Sequence, residues 1–115
     1  MKEIRIVRQP LTRAELQPYL LDDRLVKAVI DCHARIMAIG GEMHSDEEAL
    51  LLDQGSAQAN LWGINLYPDK HSDDWIEFDS MINLRPFHGN RSRGIGDPLI
   101  RTKIISIVAE LVKDA

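Results

Sequence analysis

The sequence predicts an α+β fold: an antiparallel sheet of four or five strands, with N-terminal and C-terminal helices packed mainly on one face. Three observations carry this. Alternating or β-branched stretches recur at residues 3–8, 25–31, 35–39, 61–67 and 75–85. Ile100, Ile104, Ile107, Val108 and Leu111 recur at helical spacing and make one apolar stripe. Thr12 and Glu15 stand three apart, as the two halves of a capping box do.

In chain order, Ile4, Ile6 and Val7 argue for a first strand. Thr12 then opens a helix, with Leu11 and Leu16 spaced as a hydrophobic staple; Pro18 removes a helical donor, so this helix is short or kinked near Gln17. Residues 25–31 and 35–39 form a hairpin turning at Cys32-His33-Ala34, and Gly40-Gly41 ends it. Ser45 and Glu48 make a second capping box. Asp46 and Glu47 join Glu48 in the first turn, where negative charge suits the helix dipole, and Gly55 is a natural stop. The expected helix covers 46–53, with a strand through Leu50–Leu52 as its competitor. Residues 61–67 and 75–85 read as two antiparallel strands joined by the polar connector 68–74. Asp97 as cap and Pro98 at the first helical position open the last helix.

The 115 residues, 44% apolar and 28% charged, fit one domain, 1–115, with a real core. No apolar run approaches the roughly eighteen residues of a membrane span. The first residues lack the apolar stretch of a secretory signal. The single cysteine, Cys32, excludes an internal disulfide, so the cytoplasm is the expected location. A net charge of −4 argues against dedicated nucleic-acid binding. That total hides an asymmetry. Residues 42–79 carry ten acids and one base, whereas residues 85–103 carry five bases and one acid. The plain account is two solvated faces, or two halves that neutralise each other within the fold or across a homodimer. The functional account is a site where opposite charges converge.

Three groups of residues can carry chemistry. Along 75–85, alternation sends Ile76, Phe78, Ser80, Ile82 and Leu84 to the core, and Glu77, Asp79, Asn83 and Arg85 to the other face. If Tyr67 and Trp75 close the hairpin, Asn65 lies opposite Glu77 and Gly63 opposite Asp79, leaving open space above that carboxylate. An exposed antiparallel face is normally polar, but this one offers two carboxylates, an amide and a guanidinium in one line. Glu77, Asp79 and Asn83 are the catalytic candidates. Second, Glu42, His44 and Asp46 can hold a divalent metal, magnesium or manganese rather than zinc, or supply an acid–base pair. Their spacing matches no specific metal motif, and a helix N-terminus with well-placed acids explains them as well. Third, the loop Gly89–Gly94 brings Asn90, Arg91 and Arg93 before a helix N-terminus, a setting that suits a phosphate or carboxylate. Asn65 and Arg85 join them as ligand-binding candidates. Asp97 as the cap works against an anion at that terminus, and a surface loop is the plain alternative. Cys32 reads as a small core residue, Trp62 as core, and His33, His71 and His88 as solvated. No Gly-x-Ser-x-Gly, P-loop or dinucleotide fingerprint is present.

Residues 37–52 (MAIGGEMHSDEEALLL), 61–68 (LWGINLYP), 75–86 (WIEFDSMINLRP) and 89–94 (GNRSRG) together resemble a family of short bacterial proteins known only as a domain of unknown function. The resemblance covers nearly the whole chain. It implies a bacterial, cytoplasmic, stand-alone domain, and it implies no activity, cofactor or catalytic residue. One departure is Asp31-Cys32-His33-Ala34, where related sequences have a more acidic turn, and this lowers the weight on Cys32.

The leading expectation is a binding or hydrolytic domain for a small anionic ligand, phosphorylated ligands included. Glu77, Asp79 and Asn83 line the site in that reading. Glu42, His44 and Asp46 hold an ion, and Arg85, Arg91 and Arg93 neutralise the ligand. The rival is a non-catalytic module whose acidic and basic segments pair across a homodimer or with a partner protein.

Overall fold

A computed structural model describes residues 3–114. The main sheet has five antiparallel strands in the order β1 (Arg5–Val7), β4 (Ile36–Ile39), β3 (Val26–Asp31), β5 (Leu61–Leu66), β6 (Ile76–Glu77). Two further short strands, β2 (Leu11–Thr12) and β7 (Val112–Lys113), pair in parallel and tie the chain ends together. The helices are α1 (His44–Asp53) and α2 (Pro98–Leu111). No helix among the described residues is long and apolar enough to cross a membrane.

The β3–β4 hairpin forms where expected, and a buried carboxylate holds its turn. Asp31 accepts from the backbone N–H of His33 and of Ala34, each at 2.9 Å, and from the Ser56 hydroxyl at 2.6 Å. The Thr12–Glu15 capping box also forms, but it opens a 3₁₀ helix, Arg13–Tyr19, rather than an α-helix. Pro18 lies inside it and has no N–H to continue an α-helical ladder.

Alternation along the strands divides the core in two. Ala28, Ile30, Met37, Ile39, Trp62, Ile64 and Leu66 pack with Leu16 and with Ile104, Ile107, Val108 and Leu111 of α2. Val29, Ala38 and Leu61 face the other way and pack against Leu51 of α1. The expected class is therefore present, with one addition: α1 covers the second face, so much of the surface expected to be open and polar is buried.

Two local expectations fail. α1 begins at His44 rather than 46, its N-cap is Met43, and no side chain caps it. The Ser45–Glu48 box is absent. Glu47, three residues past His44, instead folds inward and accepts from the Gly41 N–H at 2.9 Å. The 75–85 strand stops after Glu77. Ser80 then caps a 3₁₀ turn, Met81–Asn83, and its own N–H bonds to the Arg93 carbonyl at 2.9 Å. Strand pairing ends there because a side chain takes over. Asn83 accepts from the Gly63 N–H at 2.8 Å and donates to the Gly63 carbonyl at 2.9 Å.

Candidate functional site

Two polar regions emerge, one on the α1 face of the sheet and one at the end of β5. The first is a row running across three strands. Lys27 on β3 is the register partner of Asn65 on β5, which is in turn the partner of Glu77 on β6. The expected Asn65–Glu77 pairing is thus present. Asn65 donates through Nδ2 to Glu77 Oε1 at 2.9 Å and to the Asp79 carbonyl at 3.3 Å. The Tyr67 hydroxyl donates to the same Glu77 oxygen at 2.9 Å. Asn65 Oδ1 is buried and has no hydrogen-bond partner.

The N-terminal turn of α1 closes over this row. His44 Nε2 lies 2.7 Å from the Ile64 carbonyl, so that nitrogen carries the proton and donates. Burial lowers the His44 pKa; the Ile64 hydrogen bond opposes the shift and the Lys27 charge adds to it. Glu47, fully buried, is pushed up to about 9 by desolvation, against the Gly41 hydrogen bond and Lys27. Its Oε1 has no partner. Lys27 enters no ion pair among the described residues. Gly63 does not leave room above Asp79. A Cβ there would lie 2.6 Å from Ser80 Cβ and Oγ and 3.2 Å from His44 Cδ2, so those side chains already fill the space.

The structure separates the three residues expected to act on a ligand. Asp79 does meet the arginine-bearing loop, through a 2.7 Å pair with Arg93. Glu77 is committed to Asn65 and Tyr67. Asn83 is fully buried and bonds only backbone, at Gly63 and at the Arg93 carbonyl, so its place is structural. The metal candidates separate as well. His44 points inward to Ile64, while Glu42 and Asp46 are exposed. Among the described residues, no three His, Cys, Asp or Glu side chains converge as a cation site requires.

The loop after β6 is tightly built. Arg85 and Asn90 bond each other's backbone in both directions, at 2.8 and 3.0 Å. The Asn90 amide donates to the carbonyls of Asn83, Ser92 and Gly94, which uses up its donors, and accepts from the Gly96 N–H. Arg91 is exposed.

The second polar region is a cavity of ≈ 520 Å³ beside this loop. Gln58, Trp62, Arg85, His88, Asp97 and Ile100 line it, with Ala59, Gly89 and Asn90. The Arg85 guanidinium lies 4.4 Å from the centre of the Trp62 ring. Its Nε donates to the Ile82 carbonyl at 3.1 Å and its Nη2 to the Leu61 carbonyl. Nη1 carries no hydrogen bond, and no carboxylate pairs with Arg85 among the described residues. Burial pushes the Arg85 pKa down, which measures how poorly its charge is solvated, and Glu48 opposes that shift. Asp97 caps α2 by accepting from the Leu99 N–H at 2.9 Å.

Of the sequence candidates, Arg85 and Asn90 meet at this cavity, while Asn65, Glu77, Asp79 and Arg93 gather on the α1 side. Sequence reasoning missed three contributors. Lys27, the single base in a largely apolar strand, was a readable signal. Trp62 does sit in the core, but its edge also walls the cavity. His88 gives no sign in the sequence that it lines anything.

No curated protein and no solved structure matches the chain. A family model does, over residues 5–111, so nearly the whole of the architecture described above lies within the match. The chain belongs to the family described as protein of unknown function (DUF5674).

Proposed function

We propose that this domain binds a small anionic ligand, phosphorylated or carboxylated, in the cavity beside Trp62, with Arg85 as the anion's partner. The observation that carries the reading is the state of Arg85. Two backbone carbonyls and an indole ring fix its guanidinium at a cavity wall, and among the described residues no carboxylate pairs with it directly; Glu48 acts on it only as a more distant charge. A desolvated cation held in place, with no carboxylate bonded to it, is a preorganised anion site. The cavity volume lies within the range of small-molecule sites. The edge of Trp62 and Ile100 offer an apolar wall, so the favoured ligand has an apolar body as well as its charge. Asp97 on the rim favours a ligand with a single negative charge near α2 over a polyphosphate.

The reading is binding rather than hydrolysis. Glu77, Asp79 and Asn83 do not line this cavity. The test is calorimetric titration and thermal shift with inorganic phosphate, a nucleoside monophosphate and an aromatic carboxylate, on the native chain and on Arg85→Met. The expected result is a saturable response to at least one probe, lost in the variant. Equal responses from the two proteins would remove Arg85 from the site and the reading with it.

A further inference from the structure

The cavity beside Trp62 holds two opposite charges that do not meet. Arg85 and Asp97 both line it, yet no ion pair joins them among the described residues. Opposite charges free to move would close on each other in so small a space. Here the backbone keeps them apart. Arg85 and Asn90 bond each other's backbone at 2.8 and 3.0 Å, and the Asn90 side chain accepts from the Gly96 N–H at 2.9 Å. Asp97 follows Gly96 directly. An unbroken run of hydrogen bonds therefore sets the spacing between the two charged residues.

The side chains are pinned as well. The Ile82 and Leu61 carbonyls hold the Arg85 guanidinium over Trp62. Asp97 gives one carboxylate oxygen to the Leu99 N–H as the cap of α2. Each residue keeps capacity in hand: Nη1 on Arg85, and on Asp97 the oxygen that the cap does not use. The balance of charge says what fits. A lone anion at Arg85 would share its surroundings with two carboxylates, Asp97 on the cavity wall and Glu48, whose charge reaches Arg85 from α1. A ligand that carries a cation beside its anion turns Asp97 from a penalty into a partner.

The geometry points to a zwitterion: an amino acid with an apolar side chain, its carboxylate on Arg85, its ammonium on Asp97 and its side chain against Trp62 and Ile100. This rests on the anion reading above and narrows it from any small anion to one ligand class. A few placed polar groups that fix orientation, set in an apolar wall, are the usual make-up of a small-molecule site.

The experiment is calorimetric titration of the full chain with three probes of one shape. They are phenylalanine, hydrocinnamate, which lacks the ammonium, and phenethylamine, which lacks the carboxylate. Asp97→Asn and Arg85→Met are titrated alongside. Asparagine caps a helix as well as aspartate does, so Asp97→Asn should melt with the native chain. The native chain is expected to bind phenylalanine about fivefold tighter than hydrocinnamate, the upper end for one ion pair open to water, and phenethylamine more weakly than either. In Asp97→Asn the advantage of phenylalanine over hydrocinnamate should vanish, and Arg85→Met should lose both. Three outcomes would overturn the inference: no saturable response to phenylalanine at about 10 mM, no advantage over hydrocinnamate, or an advantage that persists in Asp97→Asn. Hydrocinnamate binding that needs Arg85, with phenylalanine no better, would sink the zwitterion and leave the anion reading standing. Binding of either carboxylate that survives Arg85→Met would sink both.

Discussion

The side-chain amide of Asn83 grips the backbone of Gly63 from both sides, accepting from its N–H at 2.8 Å and donating to its carbonyl at 2.9 Å. This is the hydrogen-bond pattern a neighbouring strand would supply, delivered by one side chain. It allows the chain to leave the sheet after Glu77 without orphaning the edge of β5. Both partners are buried, so the exchange stabilises the sheet only while it is complete.

Asn83→Ala should therefore cost about 2–4 kcal/mol, because it leaves the buried N–H and carbonyl of Gly63 without their partner and takes one of two donors from the Arg93 carbonyl. Asn83→Asp should cost at least as much, since it turns a carboxylate oxygen toward the carbonyls of Gly63 and Arg93. Urea denaturation at neutral pH measures both. A loss below about 0.5 kcal/mol in the alanine variant would mean that water replaces the amide freely.

Gly63 is constrained by space rather than by backbone conformation. A methyl group there meets Ser80 at 2.6 Å and His44 at 3.2 Å. Gly63→Ala is expected to destabilise by about 1–3 kcal/mol through overpacking. Combining it with Ser80→Gly should cost less than the two single changes added together, because the second change removes the obstacle. Strict additivity in that double-mutant cycle would show that the crowding is relieved elsewhere.

Cys32 directly follows β3 in a buried position, and desolvation pushes its thiol up to about 11. The thiolate, which is the reactive form, is then scarce at pH 8. Ellman's reagent should label the native chain far more slowly than the urea-unfolded chain. Equal rates would place Cys32 in contact with solvent.

Where local chemistry decided the outcome, the sequence was readable. Asp97-Pro98 and the stripe from Ile100 to Leu111 specify α2 without reference to anything distant, and the helix spans Pro98–Leu111. The Asn65–Glu77 register followed from placing Tyr67 against Trp75, and the Tyr67 N–H does bond the Trp75 carbonyl at 2.8 Å. The failures lie where a tertiary partner outbid a local rule. Ile76, Phe78, Ser80, Ile82 and Leu84 alternate as a strand should, but no periodicity reveals that Asn83 will replace the strand's backbone. Glu48 was placed to close a capping box, yet the Gly41 N–H draws Glu47 inward and the box is lost. Arg85 was assigned by alternation to the face of Glu77. With the strand broken it lies over Trp62 instead, and the cavity there follows from that one rearrangement.

Glu47 and His44 give the stability of this fold a shape against pH that one substitution can dissect. The Glu47 carboxyl is raised from 4.5 to about 9, so the folded chain keeps a proton there that the unfolded chain releases. Its contribution is complete below pH 4.5 and drains away as pH rises toward about 9. His44 acts in the opposite sense. Its folded pKa lies below 6.5, so the unfolded chain takes up a proton that the folded one refuses, and stability falls as pH drops below 6.5. Lys27 faces both groups, favouring an ionised Glu47 and opposing a charged His44, while Asp46 works against ionisation of Glu47. Glu47→Gln keeps the acceptor for the Gly41 N–H and cannot ionise. Urea melts between pH 5 and 9 should show the alkaline decline of the native chain flattened in the variant, with the acid limb from His44 unchanged. At pH 8 the variant should be the more stable of the two. If both proteins instead lose stability in parallel above pH 7, the proton on Glu47 is not what holds that carboxyl in the core.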